Sequence, residues 1–377
     1  MLRKYLLAAL SIVSVQATPS AAPIASVAFA GGEQGRILVQ AKINGKGPYP
    51  FIIDTGSVNI LSLDLAKQLG VPVSGKQRMT AFGGSVETAT AVLDSITLGE
   101  VTMSRHEVPV IGGGPFTNGG PVGVLGWQFL QKFVVEVDYQ HGHLNLYDPE
   151  TYSYSGRGIR VPVTILGNLI LIPAQIYNHP ASIEVDSGNE GEALVLFRKF
   201  VTEHKLHANL EAITGYGFGG LTRAMVARAP ALTIGGLEIK SPLVHLSLDR
   251  SGVEAANFDG NLGAPILREF TWTYDLPRKA IYLEPNTWFN KPELDDHSGV
   301  VLDTRGPVAE VLYVYPGSPA AEAGITAGDH LTAENGRELT GEQWLDSLDA
   351  APGTVVYLEL NLKGERRIVS LTLRDYL

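Results

Sequence analysis

Hydrophobic positions along this chain come in short bursts that alternate with polar ones and are closed off by Gly, Pro, Asn and Asp. Few stretches carry helical spacing, so the pattern predicts strands joined by many turns. Arg36 to Ile43 alternates as a strand, Asn44-Gly45-Lys46-Gly47-Pro48 reads as a turn, and Tyr49 to Ile53 reads as a second strand running into Asp54. Leu61 to Leu69, stopped by Gly70 and Pro72, has the form of a short helix. Leu130 to Tyr139 and His143 to Tyr147 predict a hairpin across Gln140-His141-Gly142. A second series follows: Val161 to Leu166, a turn at Gly167-Asn168, Ile170 to Tyr177, then Ala181 to Asp186. Both series deliver an aspartate at the end of an apolar strand.

The two series are copies of one another. Ile53-Asp54-Thr55-Gly56-Ser57 corresponds to Val185-Asp186-Ser187-Gly188-Asn189 at a spacing of 132 residues. Phe82-Gly83-Gly84 corresponds to Phe218-Gly219-Gly220, and Thr97-Leu98-Gly99 to Thr233-Ile234-Gly235, both at 136. Val124-Leu125-Gly126 corresponds to Asn261-Leu262-Gly263 at 137. Landmarks kept in one order with so little drift imply a duplicated lobe. An aspartate before a glycine is most often a turn residue, but two of them in matched surroundings point to chemistry. A carboxylate after three apolar residues is costly to bury unless it is paired. The hydroxyl of Thr55 or Ser187 suits a hydrogen bond to the other copy, and Gly56 or Gly188 lets the backbone close on the carboxylate. Two such loops at a pseudo-twofold axis would place two carboxylates together, where both cannot ionise and one proton is shared.

Composition narrows the choice. With 42 Gly and 22 Pro in 377 residues a β-rich chain is expected, and 45% hydrophobic content excludes general disorder. A net charge of -10 without a basic patch argues against nucleic acid. The absence of Cys removes disulfides, thiolate metal sites and cysteine nucleophiles. Arg3 and Lys4, the apolar run Tyr5 to Val15 and the small residues around Ala17 form a signal-peptide pattern, too short to span a bilayer. Residues 1–30 are therefore expected to be a signal peptide and flexible lead-in, and the protein to be secreted, in the periplasm if its source is Gram-negative. Gly215-Tyr216-Gly217-Phe218-Gly219-Gly220 fits a dinucleotide fingerprint by letter but lacks the strand-to-helix context, and the His141, His143, His204 and His207 positions lack a third ligand. No cofactor and no metal are expected.

With these motifs in view, residues 33–290 resemble the aspartic protease family, Asp54-Thr55-Gly56-Ser57 and Asp186-Ser187-Gly188-Asn189 standing as its two Asp-Thr/Ser-Gly motifs. The resemblance implies a mainly β, bilobal β-barrel fold with pseudo-twofold duplication, lobe 1 over 31–150 and lobe 2 over 151–290. It makes Asp54 and Asp186 the catalytic pair and Thr55, Gly56, Ser57, Ser187 and Gly188 their support. Val124-Leu125-Gly126 and Leu262-Gly263 would pack behind the catalytic loops. Phe82, Gly83 and Gly84 would form a flap, repeated by Phe218, Gly219 and Gly220 as in retroviral-type enzymes. Asn189 departs from the usual Ser or Thr.

Beyond a polar connector at 290–298, Pro316-Gly317-Ser318-Pro319-Ala320, Gly328-Asp329 and Asn335-Gly336 make residues 298–377 similar to a bacterial-type PDZ domain, a small α+β unit. That resemblance implies capture of a peptide C-terminus as an added strand, near Gly299, Val300 and Val301, with Glu342 to Leu348 as the facing helix. The expectation is a secreted aspartic endopeptidase that cleaves polypeptides as a monomer, its PDZ domain recruiting peptide C-termini. The rival is a catalytically inactive peptide-binding protein of the same fold.

Overall fold

The computed structural model describes residues 22–32, 35–113, 116, 120–206, 212–291, 297–303, 308–338, 348, 350–362 and 365–376. The signal-peptide segment 1–21 lies outside them, as does the facing PDZ helix except for Leu348.

Lobe 1 is a seven-stranded sheet in the order Leu38–Ile43, Lys46–Ile53, Gly123–Leu125, Ile60–Ser62, Val101–Ile111, Gly84–Leu98, Val73–Ala81. Its alternation is the one read from the sequence: Val39, Ala41 and Ile43 are fully buried while the residues between them face outward. The expected five-residue turn is tighter. Asn44 and Gly45 alone turn the chain, both at positive φ (51° and 73°), so the next strand starts at Lys46. Likewise the helix begins at Leu63 rather than Leu61, because Leu61 and Ser62 pair in the sheet and the Ser62 hydroxyl caps the helix by accepting from Leu65 N at 3.2 Å.

Lobe 2 repeats the order. Leu169–Ile176, His179–Val185, Gly260–Leu262, Leu194–Leu196, Leu243–Ser247, Gly220–Arg228 and Ala212–Gly217 are neighbours in turn, with Ala231–Ile234 and Leu237–Lys240 added beyond the first. The duplication is thus one of topology as well as of motif. The predicted strand Leu130 to Tyr139 is shorter than expected, Val134–Asp138, since Trp127–Leu130 is a helical turn that buries Phe129 and Leu130; Ala264–Leu267 is its copy in lobe 2. Val161 to Leu166 is divided at Val163 between two sheets, Ile159–Pro162 and Thr164–Leu166.

A third sheet joins the lobes, in the order Ala25–Ala28, His143–Tyr147, Val134–Asp138, Phe270–Asp275, Ala280–Pro285, Ile159–Pro162. Its centre is an antiparallel pairing of Trp272 with Val137 and Tyr274 with Val135, one strand from each lobe. The lead-in is corrected here: Ala25–Ala28 is not a flexible segment but the edge strand of this sheet, with Ala25 buried. Val300–Asp303, Ala309–Val314, His330–Glu334, Val355–Leu362 and Glu365–Thr372 form a separate C-terminal sheet around its own apolar core. The molecule is mainly β, bilobal and duplicated, with a small C-terminal α+β domain. Among the described residues no helix is long and apolar enough to cross a membrane.

Trp272 is completely buried where the lobes meet. Trp272→Ala should lower unfolding stability by about 3–5 kcal/mol, read as an earlier urea midpoint; a change below about 1 kcal/mol would show that this sheet does not bind the lobes together.

Candidate active site

Each lobe carries its aspartate on a loop that leaves a buried strand and is tied down from behind. Asp54 N donates to Leu125 O at 3.1 Å, and Asp186 N donates to Leu262 O at 3.0 Å. The glycines after those leucines are sterically required: a Cβ on Gly126 would sit 2.3 Å from Ser57 O, and one on Gly263 would sit 2.0 Å from Glu192 O. These are the two apolar-Gly elements read from the sequence, and they lie directly behind the loops.

The loops meet. Thr55 Oγ1 donates to Val185 O at 2.7 Å and Ser187 Oγ donates to Ile53 O at 3.0 Å; Thr55 N donates to Ser187 Oγ at 3.1 Å and Ser187 N to Thr55 Oγ1 at 3.0 Å. Both hydroxyl residues are buried. Gly56 faces Asp186 and Gly188 faces Asp54 so closely that a Cβ would stand 2.6 Å and 2.3 Å from the opposite carboxyl carbon. Gly56 N donates to Asp54 Oδ1 at 2.8 Å and Gly188 N to Asp186 Oδ1 at 2.9 Å.

The two carboxylates are nonetheless held differently. Asp186 receives two more N–H groups, from Asn189 N at 3.2 Å and from Asn261 Nδ2 at 2.8 Å. Burial, reinforced by the neighbouring Asp186, pushes the Asp54 carboxyl well above the ordinary carboxylate range. Two carboxyl groups this close cannot both ionise, so one proton belongs to the pair. Asn189 has a clear part in this: its Nδ2 donates to Asn261 Oδ1 at 2.9 Å, which turns the Asn261 amide nitrogen toward Asp186. Asn261 and Glu184, which accepts from the same Nδ2 at 3.1 Å, were not singled out by motif; their places opposite Val124 and Ile52 in the repeat are the signal that could have found them.

A cleft of about 930 Å³ opens over the pair, lined by residues of both lobes. The glycines of the two predicted flaps come together above it: Gly219 N donates to Phe82 O at 2.7 Å, and a Cβ on Gly83 would lie 2.4 Å from Gly220 O. Each flap phenylalanine crosses to the other lobe. Phe82 packs edge-on against Phe197 of lobe 2, and Phe218 against Phe116 beside lobe 1, both at 6.2 Å between ring centres. Glu254 of lobe 2, buried, accepts from Gly83 N at 3.2 Å. The Gly215 to Gly220 run is thus a flap hairpin, Ala212–Gly217 against Gly220–Arg228, and opens no helix. Of the Gly-rich loop at 112–120, only 112, 113, 116 and 120 are described, and Phe116 lines the cleft. Among the described residues no His, Asp or Glu group is arranged to hold a metal ion.

Residues 39–129 match the aspartyl protease family. Residues 310–361 match the PDZ domain. A comparison with curated proteins gives no significant match. Among solved structures the chain is similar to the aspartic proteinase from Irpex lacteus, at 16% identity with a TM-score of 0.45, covering 71% of this chain and 98% of that one. By the two family matches the chain carries an aspartyl-protease-like domain and a PDZ domain. In the latter, Val300–Asp303 is the outer strand of its sheet. Gly299 (φ 78°) is pressed against Ser318, where a Cβ would lie 2.1 Å from the serine Cβ, and Val300 N donates to Ser298 Oγ at 3.2 Å. Ser318 caps the helix Pro319–Glu322 as its Pro-Gly-Ser-Pro-Ala context implies.

Two predictions follow from this geometry. Thr55→Val removes the donor to Val185 O and leaves the buried Ser187 N without its acceptor, so stability should fall by about 1–3 kcal/mol in urea unfolding; an unchanged midpoint would mean the crossed hydroxyls carry no load. The second concerns pH. Burial raises Asp54 and Glu184 well above their ordinary values and brings Glu192 and Glu254 to about 7. The folded chain then holds protons that the unfolded chain has released, so stability should fall as pH rises from about 4.5 through 7. Urea midpoints compared at pH 5 and pH 8 should be lower at pH 8, and a higher midpoint at pH 8 would refute this.

Proposed function

We propose that this chain is an aspartic endopeptidase, exported to the periplasm and active as a monomer, with the PDZ domain recruiting polypeptides by their C-termini. The observation that carries the reading is the pair Asp54 and Asp186, brought face to face on two loops joined by crossed hydroxyl bonds at the floor of one cleft. In the reaction, Asp186, steadied by three N–H donors, accepts a proton from a water molecule as its oxygen attacks the peptide carbonyl carbon. Asp54 gives its proton to the carbonyl oxygen, forming a tetrahedral diol. Asp186 then passes the proton it took to the departing amine, the C–N bond breaks, and Asp54 recovers its proton from the diol. Burial of the site strengthens each of these transfers.

Both aspartates lie on one chain, which supports a monomeric enzyme. The outer strand Val300–Asp303 supports peptide addition to the PDZ sheet. Asn189, the one residue that favours an inactive binder, orients Asn261 toward Asp186 rather than emptying the site.

Asp54→Asn and Asp186→Asn should each lower peptide turnover by at least about 10³-fold without loss of thermal stability. The wild-type pH–rate profile should be bell-shaped, its high-pH limb set by loss of the Asp54 proton and displaced upward from the ordinary carboxylate range. Near-normal turnover in either variant would remove the pair from the mechanism, and absence of wild-type turnover at every pH would favour the binding protein.

A further inference from the structure

The two lobes differ most where pseudo-symmetry makes the comparison cleanest. In lobe 1, Leu38, Ile52, Val124 and Ile60 stand side by side on adjacent strands. The same row in lobe 2 is Leu171, Glu184, Asn261 and Val195. Ile52 and Glu184 each lie two residues before an aspartate of the pair and both line the cleft. The outer positions stay apolar in both rows, while Ile-Val at the centre of one is Glu-Asn in the other.

Glu184 is 1% exposed. Its Oε2 accepts from Asn261, but its Oε1 accepts no hydrogen bond among the described residues. Nor is a cation supplied: no Lys, Arg or His of the described residues pairs with Glu184 or with Glu192, which also lines the cleft and stands near Asp186 and Glu254. Glu190 alone is compensated, by Arg36 Nε at 2.7 and 2.8 Å. A buried carboxylate without a cation is costly, and here the penalty appears as the upward displacement of both glutamates. A cation arriving from outside would remove it. The walls suit the stem of such a group, for Leu169, Phe82 and Val253 line the cleft there and are apolar, and long basic side chains bury their methylenes while keeping the charged end on polar partners.

Resting on the aspartic endopeptidase reading, we infer that the cleft is asymmetric in its selectivity: the lobe 2 subsite beside the scissile bond takes a Lys or Arg side chain against Glu184, while the equivalent lobe 1 subsite, floored by Ile52 and Val124, takes an apolar one. Glu184 acts as a selectivity residue and Glu192 adds to its field. Neither moves a proton in hydrolysis.

The test uses full-length protein and a set of quenched fluorescent peptides with Leu on one side of the scissile bond and Lys, Arg, Gln or norleucine on the other, in both orders. In wild type, kcat/KM for the Lys and Arg peptides in one order should exceed that for norleucine by at least 10-fold. Glu184→Gln, which keeps an acceptor for Asn261, should lower that ratio at least 10-fold, and Glu192→Gln should lower it less. Equal loss on Lys and norleucine peptides would make Glu184 a support for Asn261 only and overturn the inference, as would wild-type preference for norleucine or Gln. Binding of the same peptides to Asp54→Asn, by fluorescence anisotropy, separates the two readings. Should wild type cleave nothing, tighter binding of the Lys peptide that is lost on adding Glu184→Gln still upholds the subsite, and equal binding of Lys and norleucine peptides overturns it.

Discussion

The crossed hydrogen bonds of Thr55 and Ser187 are the constraint on which the site is built. Each hydroxyl donates to a carbonyl one residue before the opposite aspartate and accepts from the opposite backbone N–H. Two loops from different lobes thereby share one rigid lattice, and its burial means that no water competes for the bonds. Gly56 and Gly188 follow because the carboxylates then lie where their Cβ atoms would be. Gly126 and Gly263 follow in turn, since the loops can only be braced from behind if the supporting chain comes into backbone contact. Most of what makes the motif recognisable is a record of close approach.

Given that lattice, the lobes have been free to diverge elsewhere, and they have done so in a consistent direction. Lobe 1 has Ile52, Val124 and Ile60 in one row of its sheet, all lining the cleft; lobe 2 has Glu184, Asn261 and Val195 in the same row, of which Glu184 lines it. The change from Val124 to Asn261 gives Asp186 a side-chain N–H donor that Asp54 lacks at the matching place. Symmetry of backbone thus coexists with asymmetry of electrostatics.

The duplicated topology, the aspartate pair and the supporting Gly elements were legible in the sequence because each depends on residues that only one local geometry tolerates. The boundaries were less so. Pro48 and Gly47 read as turn residues, yet the two-residue turn at Asn44-Gly45 already satisfies the chain and the strand resumes at Lys46. Ala25–Ala28 has too short and weak an alternation to be told from a linker; its pairing with His143–Tyr147 is a long-range fact. Asn261 and Glu184 escaped for a related reason. A polar residue in an apolar strand carries no motif, and its meaning depends on what stands across the sheet or across the lobes.

The two glycine hairpins that follow Phe82 and Phe218 meet across the lobes above the cleft. What holds them is a small set of contacts: Gly219 N to Phe82 O, Gly83 N to Glu254, and two edge-on aromatic pairs, each between elements of opposite lobes. A net hydrogen bond is worth about 1 kcal/mol and an aromatic pair about 1 kcal/mol beyond its buried area, so opening requires far less than unfolding either sheet. Because Gly219 N to Phe82 O joins the two hairpins directly, neither can lift without breaking a contact of the other. Phe82 rests on the wall of lobe 2 that includes Leu171 and Val195, and Phe218 on the wall of lobe 1 that includes Ile52 and Val124. A peptide side chain reaching either wall must therefore contend with an aromatic ring carried over from the opposite lobe.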